Sequence, residues 1–275
     1  MKATREEVAI IRRILHRAAG VVLDEGKAYL VRSVLTPVAY EEGDGSLTTV
    51  IERLRAEPGG ALEHKVVDAL LNNETWFFRD PHFFHALSHD VLPALQASSR
   101  RPVRIWSAAC SSGQEPYSIA MTMHQHFPGL WEQTEILATD LSDRMLARAR
   151  HGVYSQLEVN RGLPAPHLVR YFAEAGADWR IDPELGKRIT FRPINLTQDW
   201  PDVPGMDVVF VRNVLLYFDN ETRREVLRRV RRLLRPDGTL ILGAAEATFP
   251  TQKNYAVQTC GKAAYYRVRA LEVKA

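Results

Sequence analysis

The sequence has few cysteines, no long apolar stretch and no strong excess of charge of one sign. Its 275 residues include two cysteines, Cys110 and Cys260, which are too few and too far apart for a disulfide framework or a zinc cluster. We therefore expect reduced thiols and no metal site. No apolar run is long enough to cross a bilayer, and the charged start MKATREEVAI lacks the apolar segment of a signal peptide. These absences predict a cytoplasmic protein that reaches a membrane only through a partner.

The charge balance is ordinary and excludes few classes of partner. The formal net charge is +3, and charged residues make up 25% of the chain. This mild excess permits an anionic partner without requiring one. The hydrophobic residues make up 45% of the chain, which is enough for one sizeable core with a smaller domain beside it.

The first 71 residues carry apolar side chains at helical spacing and no strand pattern. The spacing predicts helices around residues 8–15, over 23–38, over 47–54 and over 61–71, and Thr36-Pro37 is expected to end the second one early. The apolar positions expected on that second helix are Tyr29, Leu30, Val34 and Leu35. Residues 1–71 are therefore predicted to form an all-α N-terminal domain.

The second part of the chain, residues 72–275, begins with a linker over 72–100. In this linker Asp80-Pro81 is typical of a helix N-cap followed by proline at the first helical position. Strands and helices then alternate. Strands are predicted over residues 103–110, 135–140, 207–213 and 239–246, and helices over 115–125, 142–150 and 222–234. Two further strands are expected within 255–268.

This alternation predicts an α/β fold with a doubly wound, mostly parallel sheet. The run DVVFVRN is apolar almost throughout, as expected for a strand buried on both faces. Residues 171–194 break the pattern, because DWRID and RITFRPI flank the turn PELGK. That segment is predicted to be a small antiparallel β-hairpin inserted in the α/β domain.

The turn after the first predicted strand indicates the kind of ligand. It reads Ser107-Ala108-Ala109-Cys110-Ser111-Ser112-Gly113, in which all residues are small but only one is glycine. The dinucleotide fingerprint G-x-G-x-x-G is absent. A small-residue turn is better suited to a ligand without phosphate, and S-adenosylmethionine is such a ligand.

Two acids are candidates for contacting that ligand. Asp140 closes the second strand, where an acid can accept the ribose hydroxyls. The alternative role for Asp140 is capping the next helix, which Ser142 could do instead. Glu115 lies at a helix start, where it is either a first-turn acid favoured by the helix dipole or a carboxylate facing the cationic part of the cofactor, and both can hold at once.

Four segments carry a resemblance to a known family. They are NETWFFRD (73–80), SAACSSGQEPYSIAM (107–121), FVRNVLLYFD (210–219) and LLRPDGTLILGAAE (233–246). In this order they resemble the motifs of CheR-type protein-glutamate methyltransferases, and the resemblance covers nearly the whole chain, including the helical N-terminal part. It implies a Rossmann-like methyltransferase fold with S-adenosylmethionine as cofactor.

The resemblance also implies roles for individual residues. Asn73, Thr75 and Arg79 match the segment that folds over the cofactor, and Ala109 lies in the cofactor turn. Glu115 and Asp140 match the cofactor carboxylates, Asn195 and Leu196 match the pair that flanks the adenine, and Arg212 and Asn213 match contacts at the end of the fourth strand. Arg79 and Tyr217 match the two side chains near the transferred methyl group.

Each of these residues has a simpler alternative role. Asn73 and Thr75 could cap the helix that follows, and Arg79 could be a surface arginine. Tyr217 could belong to the core, because LLYF is apolar throughout and buried tyrosine is common.

By resemblance, the reaction would convert glutamate side chains of the helical cytoplasmic bundle of chemoreceptors to methyl esters, with S-adenosylhomocysteine as product, for adaptation in chemotaxis. Arg12, Arg13, Arg17, Lys27 and Arg32 are docking candidates, with a solvated face as the alternative. Some members grip a receptor C-terminal peptide through the insertion. Here the nearest match is Asp178-Trp179-Arg180, so we expect independence from such a tether, and a monomer.

Two other functions compete with this interpretation. A nucleic-acid methyltransferase would be supported by the arginine run over residues 223–235. We expect those arginines on the solvent face of a helix. The Asn/Asp-Pro-Pro-aromatic motif that holds a flipped base is also absent, since its place reads Arg212-Asn213-Val214-Leu215. A non-catalytic module that binds cofactor and receptor is the other alternative, against which Arg79 and Tyr217 argue.

Overall fold

The computed structural model describes residues 4–24, 26, 28–42, 45–98, 102–200, 202–246 and 255–268. The chain divides into two compact units, Met1–Asn72 with Tyr217–Arg224, and Asn73–Leu216 with Glu225–Ala275. Lys27 and the side chain of Leu30 lie outside the described residues, and the expectations for these two residues stay predictions.

The N-terminal unit is helical, as the apolar spacing predicted. Its helices are α1 (Arg5–Ala19), α2 (Ala28–Glu42), α3 (Leu47–Ala56) and α4 (Ala61–Leu70). Helix α1 begins with a capping box in which Thr4 and Glu7 bond each other's backbone N–H, and it ends at Gly20 in the left-handed conformation. Residues 217–224 join this unit through an antiparallel bridge between Val21 and Phe218.

The second helix differs from its prediction in its bounds and in the side chains that it buries. It begins at Ala28 instead of at residue 23. Proline 37 lies inside α2 rather than ending it, and the helix continues to Glu42. The reason is packing, because the helix buries a continuous stripe on both sides of the proline: Val31, Leu35, Val38 and Ala39. Tyr29, which was predicted to be an inward apolar position, is 69% exposed.

The second unit contains the alternating strands and helices. Its strands are β1 (Val103–Ala108), β2 (Thr134–Asp140), β3 (Val153–Ser155), β4 (Phe172–Ala175), β5 (Asp178–Ile181), β6 (Ile189–Pro193), β7 (Met206–Val211), β8 (Leu234–Leu242), β9 (Tyr255–Cys260) and β10 (Ala263–Val268). Its helices are α5 (Pro81–Ala86), α6 (Leu92–Ala97), α7 (Gln114–His126), α8 (Pro128–Trp131), α9 (Asp143–His151), α10 (Gln156–Asn160), α11 (Ala165–Tyr171) and α12 (Pro183–Gly186). Helix α13 (Asn220–Leu233) has its first residues in the N-terminal unit and the rest, from Glu225, in this one. A π-helical turn, Leu87–Val91, joins α5 to α6.

The main sheet has seven strands in the order β6-β2-β1-β7-β8-β10-β9. The pairs from β6 to β8 are parallel, and β10 and β9 add an antiparallel edge. All six residues of β7 are buried, as expected for a strand covered on both faces. The doubly wound, mostly parallel sheet is therefore confirmed. Within the described part of the chain, no helix has the length and apolar character needed to span a bilayer.

A small antiparallel insertion is also confirmed, but its predicted pairing is wrong. The insertion is a three-stranded sheet in the order β3-β5-β4. Residues 189–193, predicted to pair with DWRID, form β6 and pair in parallel with β2 of the main sheet. The reason lies in the connection, because Pro183–Gly186 forms a short helix capped by Asp182 instead of a hairpin turn.

Candidate functional site

Most of the sequence-predicted site residues lie at one edge of the main sheet. Ala109, Asp140 and Arg212 stand at or directly after the carboxyl ends of β1, β2 and β7, and Asn195 follows β6 by two residues. The backbone N–H of Ile194 donates to the Asp140 carbonyl at 3.0 Å, which joins two of these strand ends. The chain reverses its strand order between β1 and β7, and ligands of open α/β sheets bind at such a point.

The turn after β1 is tight, and this explains its small residues. Ala109 and Ser111 adopt positive φ angles of 58° and 49°, and Gly113 has φ of 94°. A Cβ atom on Gly113 would lie 2.8 Å from the Cβ of Ala149. Glycine is thus required at the one position where the turn packs against α9, whereas the other positions need only be small.

The Asp140 carboxylate ties the turn to the end of β2. One of its oxygens accepts the N–H of Ser111 at 2.7 Å and the other accepts the N–H of Ser142 at 2.9 Å. The cap of α9 is Ser142, whose hydroxyl accepts the N–H of Met145 at 3.1 Å. The hydroxyl of Ser111 in turn donates to the Asn73 carbonyl at 2.7 Å. Ser142 therefore caps α9, so the alternative that Asp140 is the N-cap of this helix is wrong.

Glu115 and Arg212 form a buried charge network. The Glu115 carboxylate accepts the hydroxyl of Ser107 at 2.7 Å and a guanidinium N–H of Arg212 at 2.8 Å. Arg212, whose side chain is 1% exposed, also donates to the Asp80 carboxylate at 2.8 Å and to the Arg79 carbonyl at 2.6 Å. One buried cation is thus shared by two carboxylates, which is the condition under which a buried charge is tolerated.

Asp80 occupies the predicted N-cap position, but its side chain does not cap. Pro81 is the first residue of α5, as predicted, whereas Asp80 adopts a left-handed conformation and makes no side-chain capping bond. Its carboxylate binds Arg212 instead. Because Asp80 holds the N-cap position, the alternative that Asn73 or Thr75 caps this helix is wrong.

Loop 73–80 is anchored by an aromatic side chain. Phe77 is fully buried and packs edge-on against Tyr154, with ring centroids 4.9 Å apart. The next residue, Phe78, has φ of 51°, and its N–H donates to the Ser118 hydroxyl at 2.9 Å. A non-glycine residue in this conformation persists only where the surroundings fix it, so the loop has a defined shape.

Arg79 lies at the end of this loop and is half-buried. Its guanidinium carbon is 4.2 Å from the centroid of the Trp76 ring, and it donates to the Glu74 carbonyl at 3.0 Å. The Trp76 ring is contacted by a second guanidinium, that of Arg161, at 4.1 Å. Arg79 therefore has an aromatic platform and a backbone acceptor, and is not a surface arginine without contacts.

Asn213 stands in a turn that is held by a buried carboxylate. Glu246, which is fully buried, accepts the backbone N–H groups of Asn213, Val214, Leu215 and Gly243 at 2.8–3.0 Å. Asn213 itself has φ of 59°. Burial raises the pKa of the Glu246 carboxyl, and backbone N–H donors, those of Asn213, Gly243 and Leu215 among them, oppose this shift. The backbone after β7 is thus fixed by one side chain 31 to 33 residues away.

Comparison with known protein families identifies the family of this chain. Residues 73–264 match the family model described as CheR methyltransferase, SAM binding domain. The match covers more than half of the chain. The chain belongs to the CheR methyltransferase family.

Curated relatives of this CheR-family chain match over nearly its full length. Chemotaxis protein methyltransferase 1 of Pseudomonas aeruginosa is 39% identical over 98% of this chain and 100% of its own. Chemotaxis protein methyltransferase Cher2 of Pseudomonas putida is 38% identical, with 94% and 96% covered. Among solved structures, a TehB-like SAM-dependent methyltransferase from Corynebacterium glutamicum is 13% identical with a TM-score of 0.38, covering 69% of this chain and 92% of that one.

The cofactor of this CheR-family enzyme is S-adenosylmethionine, since the matching domain is the family's SAM-binding domain. The residues fit such a ligand. Asp140 is a buried acceptor at a strand end. Within the described residues the buried Nε–H of Arg212 has no hydrogen-bond partner, which leaves one donor for a polar ligand.

Other site residues expected in the CheR family have different surroundings. Leu196 is buried, and the Asn195 side-chain oxygen accepts the N–H and hydroxyl of Thr197 at 3.0 and 2.8 Å. Tyr217 belongs to the N-terminal unit, where its hydroxyl accepts the amide of Asn72 at 2.5 Å. Tyr217 is half-buried, so it is not a fully buried core tyrosine.

The sequence did not single out several residues that build this site. They are Asp80 as an ion-pair partner, Ser107 as the partner of Glu115, Trp76 and Arg161 around Arg79, and Glu246 under Asn213. Only the proximity of Trp76 to Arg79 in the chain gave a signal. Ser107 lies eight residues before Glu115, across the turn after β1. The remaining contacts join residues that lie far apart in the sequence and become neighbours through the fold.

Proposed function

We propose that this CheR-family methyltransferase transfers the methyl group of S-adenosylmethionine to glutamate side chains of chemoreceptor cytoplasmic domains. The products would be glutamyl methyl esters and S-adenosylhomocysteine, and the role would be adaptation in chemotaxis in the cytoplasm. The names of the relatives, chemotaxis protein methyltransferases, support the pathway. The chemistry of the acceptor is supported by one observation in the site, the state of Arg79.

The contacts of the Arg79 side chain are the observation that supports the proposal. Among the described residues Arg79 forms no ion pair within 4.0 Å, and its hydrogen bond goes to the Glu74 carbonyl. Arg212, in contrast, shares two carboxylates. The charge of Arg79 acts on the nearby Glu74 carboxylate, but that carboxylate is ion-paired with Arg161. The Arg79 guanidinium therefore keeps N–H donors for an incoming carboxylate, which it can bind through one or two charge-assisted bonds.

A carboxylate acceptor requires no general base. A glutamate side chain has a reference pKa of about 4.3 and is ionised at neutral pH. S-adenosylmethionine, when bound, supplies a methyl group on a positively charged sulfur, and that charge disappears in the reaction. Unbalanced anions near the sulfur would stabilise the ground state most. Arg212, which pairs with both Glu115 and Asp80, offsets one of their two negative charges and so lowers the anionic charge of the site.

The chain's own contribution would then be positioning. We assign Asp140 to the ribose hydroxyls, and the remaining cofactor contacts to Asn73, Thr75, Ala109, Glu115, Asn195, Leu196, Arg212 and Asn213. Arg79 would hold the acceptor carboxylate and Tyr217 would fix its angle. Alignment of this kind can lower a barrier by several kcal/mol, up to about 10 in the best cases.

The partner would be the receptor's helical bundle, bound by a monomer without a C-terminal peptide tether. Two side chains of the tether-like tripeptide are used within the insertion, which supports independence. Trp179 donates to the Gln156 side chain at 2.8 Å, and Arg180 donates to the His151 carbonyl at 3.3 Å. Undetectable binding of a tether peptide is expected, and micromolar binding would contradict it.

Nucleic acid is disfavoured as a substrate. On α13 the side chains of Val226, Leu227 and Val230 are buried, as expected for a helix packed through its apolar stripe. Arg228 and Arg229 both bond Glu225 at 2.6–2.8 Å. These pairs lower the positive charge that phosphates would meet. Strong and steeply salt-dependent binding of DNA or RNA would revive that alternative.

The test is methyl transfer with labelled cofactor and membranes that contain chemoreceptor, scored as base-labile methyl esters. Arg79→Ala should abolish most of the transfer. Arg232→Ala is the matched control, because Arg232 is an exposed arginine on α13. Equal loss in both variants would contradict the role of Arg79, and the absence of base-labile product with the natural enzyme would contradict the proposed reaction.

A further inference from the structure

The Trp76 ring is contacted by the guanidinium groups of two arginines. The guanidinium carbons of Arg79 and Arg161 lie 4.2 and 4.1 Å from the centroid of that ring, well within the range of a cation–π contact. The two guanidiniums are therefore no farther apart than the sum of these distances. Arg161 follows α10 of the insertion, whereas Arg79 belongs to the loop before α5. The ring thus connects the insertion to the arginine of the proposed acceptor site.

The position of the Trp76 ring is fixed by the residues around Arg161. Arg161 forms an ion pair with Glu74 at 2.6 Å, and this hydrogen bond lowers the pKa of the Glu74 carboxyl. The next residue, Gly162, has φ of 84°, and a Cβ atom there would lie 2.2 Å from the Phe77 carbonyl oxygen and 2.9 Å from Cδ1 of Trp76. The two backbones therefore touch, and no side chain fits between them.

The pairing of charges around the ring is unequal. Arg161 is balanced by Glu74, whereas the described residues give Arg79 no carboxylate within 4.0 Å. A planar guanidinium that stacks on an indole keeps its N–H donors at its edge, where a carboxylate can meet two of them. The neighbouring charge of Arg161 also disfavours a second cation beside Arg79.

We propose that Trp76 is a positioning residue for Arg79, and that Arg161 and Gly162 set the orientation of the Trp76 ring. This inference rests on the proposed role of Arg79 as the group that binds the acceptor carboxylate. Trp76 would act through Arg79 by limiting the orientations of its guanidinium. It would have no contact with the reacting atoms, and cofactor affinity would not depend on it.

The first test removes the aromatic face. Trp76→Leu should lower kcat for methyl transfer about 10-fold and leave the Kd for S-adenosylhomocysteine within about 2-fold, because a lost cation–π contact affects only the orientation of Arg79. Trp76→Phe keeps an aromatic face and should stay within about 3-fold of the natural enzyme. Trp179→Leu, at a half-buried tryptophan of the insertion, is the matched control and should leave kcat unchanged.

A double-mutant cycle separates positioning from a general structural effect. In an Arg79→Ala background, Trp76→Leu should cause no further loss, since a residue that acts through Arg79 has nothing left to orient. A further loss of about 10-fold in that background would overturn the inference. Full activity of Arg79→Ala would instead overturn the proposed function, and an inactive Arg79→Ala beside a fully active Trp76→Leu would overturn only the role of Trp76.

A surface variant tests the inference without disturbing packing. The Arg161 side chain is 50% exposed, so Arg161→Gln should fold normally. It should lower kcat about 3-fold because the Trp76 ring loses its second contact. Arg148→Gln is the matched control, since Arg148 forms a similar ion pair with Glu158 at 2.9 Å. Equal kcat values for both variants and the natural enzyme would overturn the role of Arg161.

Discussion

Replacing Glu246 by glutamine tests whether one buried carboxylate holds the turn after β7. One carboxylate oxygen accepts the N–H groups of Asn213 and Gly243, and the other accepts those of Val214 and Leu215, all at 2.8–3.0 Å. Glutamine has almost the same shape, but it replaces one oxygen by an NH2 group that can only donate. Whichever way the amide turns, two backbone N–H groups lose their acceptor.

The magnitude follows from those two groups. A buried donor left without its acceptor costs about 1–3 kcal/mol, so Glu246→Gln should lower the free energy of unfolding by about 2–6 kcal/mol. The turn also holds Asn213 at φ of 59°, a left-handed conformation that persists only where the surroundings enforce it. Release of that turn should raise the Kd for S-adenosylhomocysteine about 10-fold, which corresponds to about 1.4 kcal/mol.

The measurements are urea denaturation for the free energy of unfolding and titration calorimetry for cofactor-product affinity. Calorimetry is done at a temperature where both proteins are folded. Glu132→Gln is the control, because Glu132 is an exposed glutamate beside α8, and it should change stability by less than about 0.5 kcal/mol. If Glu246→Gln matches the natural protein in both stability and affinity, the turn does not depend on the carboxylate and the reasoning fails.

Three further predictions concern other charged groups and the thiols. Arg212→Met should lower the free energy of unfolding by at most about 3–5 kcal/mol, because it leaves two partly buried carboxylates, with side chains 28% and 13% exposed, without their shared cation; urea denaturation equal to that of the natural protein would contradict the network. Hydrogen bonds from His16 and from Thr222 lower the pKa of Asp219 from 3.8 to about 2, so the stabilisation that this carboxylate contributes is complete above about pH 4 and disappears as the pH falls towards 2. Asp219→Asn should therefore flatten the dependence of stability on pH in that window, and an unchanged slope would count against the pair. Burial raises the pKa of the Cys110 thiol well above its usual value, so a thiol reagent at pH 8 should label Cys260 first and Cys110 only on unfolding; equal labelling rates would show that Cys110 is accessible.

Local patterns predicted the architecture because they coincide with what packing requires. The apolar run of β7 reads as a buried strand and is one, and the small residues after β1 match a turn that leaves room for only glycine at position 113. Predictions failed where a local signal competed with burial. Pro37 is a helix breaker by propensity, but the apolar stripe of α2 continues past it and keeps the helix intact.

The predicted strand pairing of the insertion was wrong for a related reason. Two strand-like segments around a turn read as a hairpin, yet Ile189–Pro193 lies beside β2, where five residues pair with it. A short sequence pattern identifies a strand but does not identify its partner, because the alternatives differ in burial and in contacts from distant parts of the chain. The same limit applies to the site, since Arg212 lies 97 residues from Glu115 and 132 from Asp80.

The two arginines of the site show how surroundings assign different roles to the same side chain. Arg212 is 1% exposed and shares two carboxylates, so a third anion at its guanidinium would meet an excess of negative charge. Arg79 has an aromatic face and a backbone carbonyl as neighbours. If the acceptor is a carboxylate, this division is required, because an unpaired Glu115 or Asp80 would repel the acceptor and stabilise the sulfonium before transfer. In the proposed reaction Arg212 would therefore offset part of the negative charge of these two carboxylates, and Arg79 would bind the acceptor.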